Sequence, residues 1–212
     1  MTPERAAGRE PLSDDQNTPV TLRTTRLLLR PFEITDVDDV CAYASDPDVA
    51  RFRPLPNPYT RNDALGFVRR QIQTDWSTDA EFAVVHRHHV IGGLSLNVSA
   101  EHDRAELGYL LGKRWWGRGL ATEAARAVLD WGFQRFNLYK VYARAHVDNR
   151  RSWRVLEKLG MSREGVLRGH WKMRNEHVDL VYYAVLRDEW TPPADGCVDQ
   201  GAGRTRDGKV QP

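Results

Sequence analysis

Cysteine is almost missing from this chain. Cys41 and Cys197 are the only two, one in a stretch of helical spacing and one in a polar tail, so no disulfide framework can be built. No apolar run approaches the roughly 20 residues that a membrane-spanning helix needs, and the N-terminus has no short apolar core of a secretion signal. An excess of one charge is also missing: 31 Lys and Arg stand against 29 Asp and Glu, mixed along the chain with no basic block. The composition makes no electrostatic case for nucleic acid or an anionic membrane. The chain reads as a cytoplasmic protein, without direct nucleic-acid binding and without a membrane.

What is present suits one domain with two tails, since 212 residues exceed what a single small core requires. Residues 1–17 are charged and nearly devoid of apolar side chains, and residues 191–212 are rich in Gly, Pro and charge, so both are expected to be disordered. The domain is placed at 18–190. Val20 to Phe32 reads as a strand pair or a bent strand ended by Pro31. Thr35 is expected to cap a short helix over Asp36 to Ala44, and the four prolines between Asp46 and Tyr59 predict a loop without a regular element. A further helix, capped by Thr60 or Asn62, carries Ala64, Leu65, Phe67, Val68, Ile72 and Trp76 on one stripe.

Glu81 to Val85 and Val90 to Val98 predict a hairpin around His86-Arg87-His88-His89. Three histidines in four turn positions point in different directions and lack a nearby carboxylate or cysteine, so no metal site is assigned. Arg104 to Leu111 is a strand, and Leu120 opens a long helix buried through Ala124, Ala127, Val128 and Trp131, with Gly132 inside it. Tyr139 to Val147 is a strand, a helix starts near Asn149 and stops at Gly160, and Met161 to Leu167 and Leu180 to Leu186 are the last strands. Arg168 to Asp179 is expected to be a long connection between them. Strands interleaved with helices and antiparallel pairs give an α/β or α+β fold.

The chemistry concentrates in Arg114-Trp-Trp-Gly117-Arg118-Gly119, between a strand and the long helix. Paired glycines let the backbone turn tightly and leave unpartnered N–H groups at the positive end of the helix, where an anion is the natural occupant. A dinucleotide fingerprint is excluded because Thr122 stands at the third glycine position. A P-loop spacing at Gly203 to Lys209 has Val210 where Ser or Thr should hold magnesium, and no helix after it.

Arg114-x-x-Gly117-x-Gly119 resembles the acyl-CoA pyrophosphate loop of the GNAT superfamily of N-acetyltransferases. Glu106-Leu107-Gly108-Tyr109 before it, Ala121-Thr122-Glu123-Ala124 after it, Asn149-x-x-Ser152 and Leu156 to Gly160 extend the likeness, as do Thr25 to Arg30 and Asp188-Glu189-Trp190. The ordered set is similar to the ribosomal-protein-alanine, RimJ/RimL-type branch over roughly residues 20 to 190. The resemblance implies the GNAT fold, a twisted mixed and mostly antiparallel sheet flanked by helices and splayed in the middle to hold acyl-CoA. It implies acetyl-CoA as acetyl-donor cosubstrate, without a metal.

The same resemblance implies a site. The N–H groups of Trp116 through Thr122, which take in Gly117, Arg118, Gly119, Leu120 and Ala121, would hold the pyrophosphate, helped by the charges of Arg114 and Arg118. A backbone N–H near Leu110 or Leu111 would serve the oxyanion, and Asn149 the pantetheine arm. Ser152 would protonate the leaving thiolate, because Leu156 occupies the place where many relatives carry a tyrosine. Glu106 is the candidate base, unless it pairs with Arg104. Arg51, Phe52, Tyr59, His170 and Asp179 are candidates for the acceptor wall. The expected reaction is acetyl transfer to a primary amine by direct attack in a ternary complex, most naturally a protein N-terminus. A small amine or antibiotic is the alternative acceptor, and a non-catalytic acyl-CoA sensor or an assembly module, including a homodimer, is the alternative of another class.

Overall fold

A computed structural model describes residues 17–192; the two tails expected at 1–17 and 191–212 lie almost wholly outside the described residues. Within them, strands β1 (Leu22–Arg23), β2 (Leu28–Arg30), β3 (Asp79–His86), β4 (His89–Ser99), β5 (Arg104–Leu111), β6 (Lys140–His146), β7 (Ser162–Met173) and β8 (Glu176–Leu186) form one sheet. Their order is β1-β2-β3-β4-β5-β6-β8-β7, and every neighbouring pair is antiparallel except β5 with β6. Helices α1 (Val37–Ala44), α2 (Pro47–Ala50), α3 (Arg61–Ile72), α4 (Leu120–Arg135) and α5 (Arg150–Lys158) complete the fold.

Strand alternation sorts the side chains into two cores. One face of the sheet carries Phe82, Leu94, Leu96, Leu107 and Val141 against Val128, Trp131 and Leu156 of α4 and α5. The opposite face carries Ala83, Val85 and Val90 against Val37 and Val40 of α1 and Ala64 and Val68 of α3. Gly132 belongs where the first core is tightest: a Cβ there would lie 2.4 Å from Leu96 Cδ2. The helix accepts glycine's poor propensity because α4 must pass close over β4.

The structure corrects four readings of the sequence. Asp36, not Thr35, organises the start of α1. Its buried carboxylate accepts from the Glu33 N–H at 2.8 Å and pairs with the Arg30 guanidinium at 2.7 Å, bridging a short 3-10 turn over Ile34–Asp36. The proline-rich stretch does contain a helix, because Pro47 sits at its first turn, where no N–H is needed, and the Asp46 side chain accepts from the Asp48 N–H. Trp76 is buried, yet it lies beyond the end of α3 and reaches the opposite core by packing edge-on against Phe82 at 4.8 Å. Ile72, placed on the buried stripe, is half exposed.

The fourth correction concerns 168–179. Both strands run on through that segment to a tight turn at Arg174 and Asn175, which have φ of 49° and 68°. Positive φ at both central residues gives a turn whose twist matches the flanking strands. Register shifts between Leu167 and Trp171 absorb extra residues as a bulge, which hid the strand's periodicity.

Gly132→Ala should lower the melting temperature, although alanine is the better helix former. Overpacking is expected to cost about 1–3 kcal/mol, against the gain of roughly 1 kcal/mol in propensity. A variant more stable than the parent would contradict the close approach of α4 and β4.

Candidate active site

β5 and β6 pair over only three positions, Arg104 to Glu106 with Lys140 to Tyr142, and then part. Beyond Glu106, one edge of β5 has no strand beside it. The Gly112 N–H donates to the Ile91 carbonyl, so alternation directs the backbone of Leu110 and Gly108 toward β4 and that of Leu111, Tyr109 and Leu107 toward the gap. Of the two residues named for the oxyanion, Leu111 thus turns its N–H to the gap and Leu110 does not.

Side chains satisfy the carbonyls of this open edge. Arg53 Nη2 donates to the Tyr109 carbonyl at 2.8 Å, and the Trp116 indole donates to the Leu111 carbonyl at 2.7 Å. Acceptors on the edge are capped while the N–H groups of Tyr109 and Leu111 still face the gap. Buried backbone donors require partners, so the edge is built to receive an acceptor atom.

The glycine loop closes one end of the gap. Gly117 and Gly119 have φ of 74° and 76°, a region that side chains enter at a cost, although nothing lies within 4 Å of a Cβ at Gly117. Backbone conformation, not lack of space, requires glycine here. The first intrahelical bond of α4 runs from the Glu123 N–H to the Gly119 carbonyl, leaving the N–H groups of Leu120, Ala121 and Thr122 without a helical partner. The Trp116 N–H, expected among the phosphate donors, is instead taken by the Lys113 carbonyl at 3.1 Å. Arg114 and Arg118 are exposed and both stack on Trp115, with guanidinium carbons 5.5 and 5.4 Å from its ring centre.

A lock that sequence reading missed holds this loop in place. The Glu123 carboxylate accepts from the Thr24 hydroxyl at 2.6 Å, the Arg26 N–H at 2.9 Å and the Arg26 guanidinium at 2.6 Å. Arg26 Nη1 in turn donates to the Arg118 carbonyl at 2.9 Å. Burial pushes the Glu123 carboxyl up, but the bonds from the Thr24 hydroxyl and the Arg26 N–H and guanidinium, with the Arg26 charge, outweigh it and hold the carboxyl below its ordinary value. Both stretches were recognised as motifs, but no spacing rule joins residues so far apart.

Across the gap, Asn149 caps α5 by accepting from the Ser152 N–H at 3.2 Å. Ser152 Oγ lies 2.6 Å from the Tyr109 hydroxyl. Burial pushes the Tyr109 phenol up to about 12, with the Ser152 hydrogen bond opposing, so it stays protonated at neutral pH. Leu156 is fully buried in the core below. A tyrosine hydroxyl therefore does lie beside Ser152, supplied by β5 instead of α5, and strand alternation, which puts Tyr109 on the face of Leu107, was the signal for it.

The opposite face of the sheet at the parting carries Glu106, Tyr142 and Arg144 together. Glu106 does not pair with Arg104: its two oxygens accept from Arg144 Nε at 2.6 Å and from the Tyr142 hydroxyl at 3.3 Å. Arg104 stacks on Tyr142 instead, 5.8 Å from the ring centre. The loop after α2 reaches this region, with the Phe52 ring 5.1 Å from that of His146 and Arg51 over Phe52. The β7–β8 turn joins it when Arg174 Nη2 donates to the Ala50 carbonyl at 2.8 Å.

Three acceptor-wall candidates have other partners. Tyr59 packs on the α1–α3 core and borders a cleft with Leu55, Phe67 and Arg70. His170 bonds the Tyr182 hydroxyl at 3.2 Å, and Asp179 accepts from the Gly169 N–H at 2.7 Å inside the hairpin bulge. A group not anticipated is Glu81 on β3, whose carboxyl burial pushes up to about 8, with Asp79 adding to the rise and Arg53 opposing it. Among the described residues, no cluster of three or more His, Cys, Asp or Glu could hold a metal, and no helix is long and apolar enough to cross a membrane.

Residues 26–162 match the family model described as an acetyltransferase (GNAT) domain, so the chain belongs to the GNAT N-acetyltransferases. It is 34% identical over 178 residues to the uncharacterized N-acetyltransferase p20 of Bacillus licheniformis, covering 80% of this chain and 98% of that one. It is 32% identical over 129 residues to YdaF of Bacillus subtilis, which carries the provisional name ribosomal N-acetyltransferase, covering 58% and 70%. A solved GNAT-family acetyltransferase from Bacillus anthracis superposes with a TM-score of 0.71 at 31% identity, over 80% of this chain and 99% of that one.

Two outcomes are expected from this geometry. Arg26→Ala should weaken acetyl-CoA binding about threefold to tenfold, the value of one or two charged hydrogen bonds acting indirectly, with kcat nearly unchanged at saturation; unaltered binding by calorimetry would show that the lock is idle. Glu81 has a folded-state value raised above its unfolded one, so its contribution to stability is complete below the ordinary carboxylate value and is lost as pH rises through about 8. Melting of Glu81→Gln relative to the parent should improve from pH 5 to about 8 and level off above that, and a difference independent of pH would contradict that burial.

Proposed function

We propose that this N-acetyltransferase moves the acetyl group of acetyl-CoA to a primary amine in a ternary complex, and that the amine is a protein N-terminus of the RimJ/RimL type. The observation that carries the reading is the Ser152 to Tyr109 hydroxyl pair, 2.6 Å apart, set against an open strand edge with a free Leu111 N–H. Acetyl-CoA supplies a thioester whose leaving group is already good, a thiol of ordinary value near 8.5. Positioning is then the larger demand on the protein.

The fit of the cosubstrate rests on features of this chain. Gly117, Arg118 and Gly119, with the unpartnered N–H groups of Leu120, Ala121 and Thr122, form a cradle for the pyrophosphate, and Arg114 and Arg118 add charge. The side-chain oxygen of Asn149 is spent on the cap, which leaves its amide N–H groups for the pantetheine arm. The Leu111 N–H is placed to donate to the oxygen that gains charge. Ser152 gives its proton to the departing sulfur, and the Tyr109 phenol, protonated at neutral pH, restores it.

Glu106 keeps a place in this reading as the carboxylate at the point where the strands part. Its bonds to Arg144 and Tyr142 fit it to hold a water or the incoming nitrogen at the gap. Support for a protein acceptor comes from YdaF and from the shape of the acceptor side. Strand β7 forms the sheet edge there with mostly exposed side chains, a border along which an extended peptide can lie.

Thiol release should be measured with acetyl-CoA and a panel of amines: peptides beginning with Ala or Ser, spermidine and an aminoglycoside. The N-terminal peptides are expected to be turned over, and a protein that releases thiol only with the small amines would reject that acceptor. Ser152→Ala should lower kcat roughly tenfold to a hundredfold, below the usual range for a general acid because the thiolate leaves readily, with acetyl-CoA affinity kept. Full activity in that variant would remove Ser152 as the acid.

A further inference from the structure

The face of the sheet that carries Glu106 has a gap in its apolar cover. Glu81 on β3 stands opposite Ser95 on β4, and Ser95 stands opposite Gly108 on β5, so the three form one row across the strands. Directly opposed residues of antiparallel strands have Cβ atoms about 5 Å apart. Ser95 therefore stands between the two ends of the row, within a side chain's reach of each. At its inner end the side chain is missing altogether, and the Ser95 Oγ occupies that space, 2.5 Å from where a Gly108 Cβ would be.

Gly108 lies two residues past the last pairing of β5 with β6, beside the open edge. The row thus runs from the gap, through a hydroxyl, to a carboxyl. Arg53 runs alongside, donating to the Tyr109 carbonyl and feeling the charges of both Glu106 and Glu81. Glu106 is already occupied by Arg144 and Tyr142. Glu81 has no hydrogen-bonded cation among the described residues; the charged groups facing it are Asp79 on its own strand and Arg53 from the loop after α2, and Tyr43 of α1 lies within electrostatic range.

We infer that Glu81 is the terminal acceptor of the proton that the attacking nitrogen must lose, reached along this row through the Ser95 hydroxyl. The inference rests on the acetyl-transfer reading above and names a residue of that same site. An amine enters as an ammonium and becomes an amide, so it loses two protons in all. One passes through the Ser95 hydroxyl, which hands its own proton to the Glu81 carboxylate, and freeing the nitrogen lone pair lets the C–N bond form as the C–S bond breaks. The other is released after attack and balances the proton that Ser152 gives to sulfur.

The assignment has a chemical rationale independent of position. A carboxylate fixed to a guanidinium is a weak base, whereas one kept from its charged form by burial holds a proton more tightly. A base works best when its own value lies near the working pH, and Glu81, pushed up to about 8, meets that condition. Glu81 acts through Ser95, so in this scheme it is a positioning and proton-storing group, distinct from the residues that contact the thioester.

The test uses the full chain with acetyl-CoA, an Ala-initiated peptide and spermidine as probes, reading thiol release from pH 6 to 10. For Glu81→Gln, kcat/KM should fall at least tenfold at pH 7.5, the rise in rate centred near pH 8 should vanish, and the deficit should shrink to below threefold by pH 10, where free amine is abundant. Ser95→Ala should reproduce the loss at pH 7.5, and Ser95→Thr, which keeps the hydroxyl, should restore it. Acetyl-CoA affinity should stay within twofold throughout, separating the effect from misfolding. A Glu81→Gln profile parallel to that of the parent overturns the inference while leaving acetyl transfer intact. A parent protein that binds acetyl-CoA yet acetylates neither probe nor any other amine overturns both.

Discussion

The structure depends on one interruption, the parting of β5 from β6 after three paired residues. A strand edge inside a sheet is normally paired, because buried N–H and C=O groups are costly to leave alone. Here the protein satisfies the acceptors of that edge with Arg53 and Trp116 and leaves donors at Tyr109 and Leu111. The interior of the sheet becomes a place that favours an incoming carbonyl. Every other functional feature is arranged around this opening.

At one end, the glycine loop and the start of α4 present further donors, and the Glu123 lock ties them to the N-terminal strand pair. At the other, α5 brings Ser152 against the Tyr109 hydroxyl. A single strand, β5, sets Tyr109 on one face of the sheet and Glu106 and Gly108 on the other simply by alternation. In the proposed reaction the thioester lies on one face of the sheet and the amine on the other.

The sequence was informative where local chemistry decides structure. Strand β5 was placed at its observed bounds, Thr60, one of two candidates with Asn62, caps α3, and the glycine loop stands between a strand and a helix. Sequence reading faltered where a distant partner takes over. Asp36 displaced Thr35 because Arg30 reaches it, Trp76 left its helix for the opposite core, and a bulge concealed the length of β7. The same limit applies to the site: Arg144 as the partner of Glu106, Tyr109 as the neighbour of Ser152, and the row from Glu81 to Gly108 all depend on cross-strand register, which one sequence does not print.

The account stands or falls on the idea that glycine conformation at the head of α4 creates the cradle for coenzyme A. The direct measurement is calorimetric titration of acetyl-CoA into the parent protein and into Gly117→Val/Gly119→Val, after circular dichroism has shown that the variant is folded. Loss of one or two charge-assisted hydrogen bonds predicts affinity lower by roughly tenfold to a thousandfold. Equal affinity in the two proteins would contradict it.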